Sequence, residues 1–127
     1  GCSASALIIP TSSSLTTVVA THCEFANSHI GAFVYGNLWR GPSNLTSATF
    51  KNCVFNDNTY CGIYGEDTAK IHLHGEATKI HSNHWLGICA DSAKVVIHLP
   101  SHHNTSYDNG GEDRHTREGG TITNVED

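Results

Sequence analysis

A chain of 127 residues with twelve acidic and seven basic side chains, net charge −5, is long enough for one domain and short for two. The seven basic residues are spread along the sequence, which argues against a nucleic-acid partner, and no stretch approaches the roughly 20 apolar residues of a membrane-spanning helix. Met is absent, so the chain reads as a processed product or a fragment of a longer protein, and its compartment is not encoded in these residues.

Taken in chain order, the first recognisable unit is Cys23-Glu-Phe25. It is followed by a Gly- and Pro-bounded insertion, Gly36-Asn-Leu-Trp-Arg-Gly-Pro-Ser-Asn44, whose Leu38, Trp39 and Arg40 are candidate binding residues because specificity concentrates on loops held by a rigid scaffold. Ala48-Thr-Phe-Lys-Asn-Cys-Val-Phe-Asn-Asp-Asn58 then restates the first unit in fuller form. Cys23, Cys53 and Thr78 correspond, as do Phe25, Phe55 and Ile80, at offsets of 30 and 25 residues. Asn58 matches Asn83, and Gly62-Ile63 matches Gly87-Ile88, again 25 apart. Asp67 to His74 maps onto Asp91 to His98 at an offset of 24.

Within each copy the apolar residues alternate, as strands with one buried face require. Ala48, Phe50, Cys53 and Phe55 are expected to face inward, with Asn52 at a bend. Ala69, Ile71 and Leu73 are expected inward, and Lys70, His72 and His74 outward. No segment has the 3.6-residue period of an amphipathic helix. After Pro100, with His102-His103 at a corner, the stretch Tyr107 to Gly120 is too polar and glycine-rich for a core rung; it reads as a second loop, 107–120, followed by a last strand at 121–125. Asp113, Arg114, His115 and Arg117 are its candidate binding residues.

Short strands with like residues recurring about once per coil of 25 indicate a solenoid whose rungs pair edge to edge at roughly 4.8 Å. Phe50-Lys-Asn-Cys-Val-Phe55, Asn58 and Gly62-Ile63, with their echoes at Cys23-Glu-Phe25 and Asn83 to Ile88, carry the resemblance. The chain resembles the right-handed parallel β-helix repeat family, the pectin-lyase-like fold, over roughly residues 14 to 109. The resemblance implies an all-β, single-stranded right-handed parallel β-helix of about five short coils spanning 1–127 as one domain, of the short non-catalytic type. That family includes lyases, hydrolases, epimerases and binding modules, so it implies no single activity. Its acid, base and calcium-ligand patterns map onto no position here, and its catalytic members have more coils.

The odd number of cysteines leaves at least one without an intrachain partner. Cys23 and Cys53, stacked inward, are expected as buried thiols rather than a bridge. Asp67 and Asp91 read as one turn repeated at one corner, not as a catalytic pair. With no complete catalytic constellation, the reading leans away from an enzyme. The outward His72, His74 and His98, the last two of which the register aligns with Thr49, form the one candidate cluster for zinc or another imidazole-preferring metal; no other cofactor is expected. The open ends of a short solenoid need a cover, and Trp39 with Leu38, and Trp85 with Tyr60, are interface-type aromatics. The expected function is therefore a non-enzymatic scaffold docking on another protein or within a larger assembly. A carbohydrate-binding module, or the remnant of a polysaccharide-active β-helix protein, is the alternative; an exposed planar Trp beside Asn and Asp would favour it.

Overall fold

The computed structural model describes residues 2–4, 7–9, 16–35, 46–98 and 105–126. Fifteen strands follow one another with no α-helix among the described residues: β1 (Cys2–Ala4), β2 (Leu7–Ile9), β3 (Thr16–Thr21), β4 (Cys23–Ala26), β5 (Ile30–Tyr35), β6 (Thr46–Lys51), β7 (Val54–Asn56), β8 (Cys61–Glu66), β9 (Lys70–His74), β10 (Lys79–His81), β11 (Leu86–Asp91), β12 (Lys94–His98), β13 (Ser106–Tyr107), β14 (Glu112–Arg117) and β15 (Thr121–Val125). Every third strand joins the same sheet. Sheet A runs β1-β4-β7-β10-β13, sheet B β2-β5-β8-β11-β14 and sheet C β3-β6-β9-β12-β15. All pairings are parallel. The chain is a parallel β-solenoid of about four turns.

The alternation expected from sequence is the alternation observed. Ala48, Phe50, Cys53, Phe55, Ile71, Leu73, Val95 and Ile97 are fully buried. Phe55 pairs in register with Phe25 below and Ile80 above. The Phe25 and Phe55 rings stack at 5.0 Å, and Phe50 meets Phe55 edge-on at 5.1 Å.

Corners are turned by residues with left-handed backbone. Asn27, Asp57, Ser82 and Asp108 mark the corner from sheet A to sheet B, with φ between 52 and 58°. Asn, Asp and Ser recur there because short polar side chains tolerate this region better than bulky ones. Just past that corner an amide ladder climbs the coil. Asn58 Nδ2 donates to Asn83 Oδ1 (2.9 Å), Asn83 Nδ2 to Asn109 Oδ1 (2.8 Å) and Asn109 Nδ2 to Asp113 Oδ1 (2.9 Å). A Cβ on Gly62 would come within 2.9 Å of Asn83 Nδ2, and one on Gly31 equally close to Asn58 Nδ2, which is why glycine accompanies each asparagine.

Four expectations are corrected. Residues 107–120 are not a loop interrupting the ladder: β13 and β14 continue sheets A and B, and Ile88 pairs with Arg114. The repeat therefore runs beyond 14–109, from β1 to β15. Asp67 is not equivalent to Asp91. Asp91 pairs with Glu66, and both Asp67 and Thr68 turn left-handed where Ser92 does so alone in the next coil, so one extra corner residue shifts the alignment. Cys53 is a buried free thiol as expected, but Cys23 is disulfide-bonded. The 36–44 loop and His102-His103 lie outside the described residues, so Leu38, Trp39 and Arg40 are not placed.

Candidate functional site

Two surface groupings are built by the coil. The first lies on sheet C. Because Ile71, Leu73, Val95 and Ile97 fill the inside, strand alternation turns His72, His74 and His98 outward, and the Leu73–Ile97 register sets His98 beside His74. The His74 and His98 rings stack with centroids 4.0 Å apart and planes 9° apart. His72 Nδ1 lies 2.8 Å from His98 Nε2. One nitrogen from each of the three side chains falls within 4.8 Å of the others, and all three residues are half-buried. The cluster expected from sequence is thus brought together.

Its neighbours differ from expectation. Thr49 stands opposite His72, not His74 or His98; Lys51 is the partner of His74. Lys70 and Lys94 pair on the same face. The basic residues are therefore not scattered in space: three of them share sheet C, whose strands contain no Asp or Glu.

The second grouping is the corner where sheet A passes into sheet B. Tyr60 N donates to His29 O, Trp85 N to Tyr60 O and Gly111 N to Trp85 O, so these residues succeed one another rung by rung. The His29 and Tyr60 rings stack at 5.4 Å, and Tyr60 and Trp85 lie 6.2 Å apart, tilted. The Tyr60–Trp85 neighbourhood inferred from register is present. Trp85 is 57 % exposed. Glycines at 110 and 111 leave a shallow depression over His84 and Trp85, and a second one beside it is lined by Asp57, Asn58, Thr59, Ser82 and His84.

The candidate residues of β14 scatter to separate tasks. Asp113 closes the amide ladder. Arg114 occupies the inward position above Ile88, half-buried, where burial pushes its guanidinium pKa down and Nη1 donates to Asn124 Oδ1 at 2.8 Å. His115 Nδ1 lies 3.3 Å from Glu112 Oε1. Arg117 is exposed and reaches the Tyr60 hydroxyl at 3.4 Å, which ties this rung to the aromatic corner.

Sequence reasoning missed the outer face of sheet B. Cys61, Tyr64, Leu86 and Cys89 form a second buried cluster there, against Ile30, Phe33 and Tyr60. The register partners Glu66 and Asp91 stand at its edge, with Arg117 next above Asp91. Burial, and then the charges of Asp67 and Asp91, push the Glu66 carboxyl above its usual range, while Arg117 opposes this. Asp91 Oδ2 accepts the Tyr64 hydroxyl at 3.2 Å. Correct placement of the 67–68 corner was the signal that would have revealed this pair. No helix among the described residues is long and apolar enough to cross a membrane. Comparison with protein-family models, with curated proteins and with solved structures finds no match.

Proposed function

We propose that this chain is a non-enzymatic β-helical interaction module, related to the short non-catalytic pectin-lyase-like type, that docks on a partner protein or within a larger assembly through its aromatic corner. The observation that carries the reading is Trp85. Across residues 17–35, 46–98 and 105–126 only Trp85 and Val19 are large apolar side chains left exposed, and Trp85 continues a column of packed rings on a rigid ladder. A preorganised indole costs little side-chain entropy on binding, the usual property of an interface anchor. Native mass spectrometry of the untagged chain taken gently from its source tests it. A stoichiometric protein adduct that disappears in Trp85→Ala is expected, and a bare chain in both cases refutes it.

One observation favours a second reading, a carbohydrate-binding module. The indole stands beside a polar depression that includes Asp57 and Asn58, and such a combination suits the apolar face and hydroxyls of a sugar ring. Saturable quenching of Trp85 emission by oligosaccharides, with no protein adduct in the spectrum, would select it.

A further inference from the structure

We propose that His72, His74 and His98 form a three-histidine site for a divalent transition metal of the imidazole-preferring class, with Zn2+ as the reference ion. Three Zn–N bonds at 2.0–2.1 Å in tetrahedral arrangement place the nitrogens about 3.4 Å from one another. The three imidazoles already present one nitrogen each within 4.8 Å of the others. His98 is the central member, its ring centroid 4.0 Å from that of His74 and 5.0 Å from that of His72. Coordination requires the half-buried rings to rotate out of their stacked arrangement so that their nitrogen lone pairs converge on one point. The backbone that holds them is rigid, since the alternate residues Ile71, Leu73, Val95 and Ile97 are fully buried.

The 2.8 Å separation of His72 Nδ1 and His98 Nε2 requires one nitrogen to donate its proton and the other to accept. A metal bound through both atoms needs two lone pairs. The donor ring therefore moves its proton to its other nitrogen, and no net proton leaves when both rings are neutral. A metal competes with protons for these lone pairs, so binding weakens on acidification. Lys51 beside His74, with Lys70 and Lys94 further along the same face, adds positive charge, and the strands of sheet C supply no carboxylate. With three protein ligands among the described residues, a tetrahedral ion has a fourth position for another ligand, and the lysines favour an anionic one.

The test is calorimetric titration of Zn2+ into the untagged, chelator-stripped chain, together with long-range 15N correlation spectra of its imidazoles. One ion per chain is expected at pH 7.5, with shifts confined to three of the ten histidines and binding weakened on acidification. His72→Gln and His98→Gln should each weaken binding by at least about tenfold, since changes even outside the coordination sphere cost that much. His81→Gln, which removes a ring stacked on Tyr107 in sheet A, should leave binding unchanged. No stoichiometric binding, equal binding in His98→Gln, or shifts at other histidines overturns the assignment; the spectra of the unmodified chain decide it even where a variant misfolds.

Discussion

Replacing Asn83 by alanine removes the middle member of the amide ladder. Its Oδ1 accepts from the Asn58 side chain at 2.9 Å and from the Asn58 backbone N–H at 3.2 Å, and its Nδ2 donates to Phe55 O at 3.1 Å and to Asn109 Oδ1 at 2.8 Å. Asn58 and Asn83 are 1 % and 2 % exposed, so solvent does not replace the lost partners without entering the coil. Two buried donors of Asn58 are stranded at about 1–3 kcal/mol each, which gives about 2–6 kcal/mol, the lower end applying where a water fills the vacated space. Asn109→Ala likewise removes the acceptor of two Asn83 donors, but Asn109 is only half-buried, so water reaches the vacated site and the cost should fall at the lower end, about 1–2 kcal/mol. Asn83→Asp has nearly the shape of asparagine but places an acceptor against Asn109 Oδ1 and Phe55 O, so it should be no milder than alanine. Urea unfolding followed by circular dichroism, with linear extrapolation, measures all three. If Asn83→Ala costs less than about 0.5 kcal/mol, or no more than Asn109→Ala, the ladder is not a stability element and the reasoning fails.

Phe55→Ala should cost about 3–5 kcal/mol, because a fully buried ring with two aromatic neighbours leaves a cavity; unfolding together with the parent would refute its place in the core. Cys53, Cys61 and Cys89 are fully buried and burial raises their thiol pKa values, so peptide mapping after iodoacetamide should find all three unlabelled in the native chain and labelled in urea. Glu66 has a folded-state pKa raised above its unfolded value near 4.5, so its ionisation lowers stability as pH rises through the raised value. Glu66→Gln should accordingly stabilise the chain at pH 7 and lose that advantage below about pH 4.5, as read from thermal unfolding across pH; a variant destabilised at neutral pH would show that Arg117 outweighs burial.

The parts of the fold legible in the sequence are those where a physical constraint repeats unchanged. Phe25, Phe55 and Ile80 stack in one column, and a buried column admits few residue types, so the echo survives in the letters. The histidine cluster was legible for the same reason, since the positions of His74 and His98 follow from the inward alternation of Leu73 and Ile97. The Asp67–Asp91 and Thr49 alignments failed because an equal count of residues does not mean an equal turn. One additional left-handed residue at 67–68 breaks the Asp67–Asp91 match, and the 75–78 corner, two residues longer than its counterpart at 52–53, breaks the Thr49 match. The grouping of Lys51, Lys70 and Lys94 was invisible until their strands were known to share one sheet.

The last rung was misread for a reason that bears on docking. β14 is six residues long, as β8 and β11 are, yet hydrophobic pattern does not mark it as a strand. Above Ile80 stands Ser106, above Ile88 Arg114 and above Ile97 Asn124, while Ile122 alone carries an apolar column upward, over Val95. The inward positions turn polar together, and Arg114 and Asn124 bond to each other across the end of the core. A lid of this kind shields the apolar layer below and removes the hydrophobic drive for another surface to cover it. This rung presents a guanidinium, an amide and only one apolar side chain, Ile122, toward its upper face. The larger of the two exposed apolar side chains, Trp85, stands instead at the side of the coil.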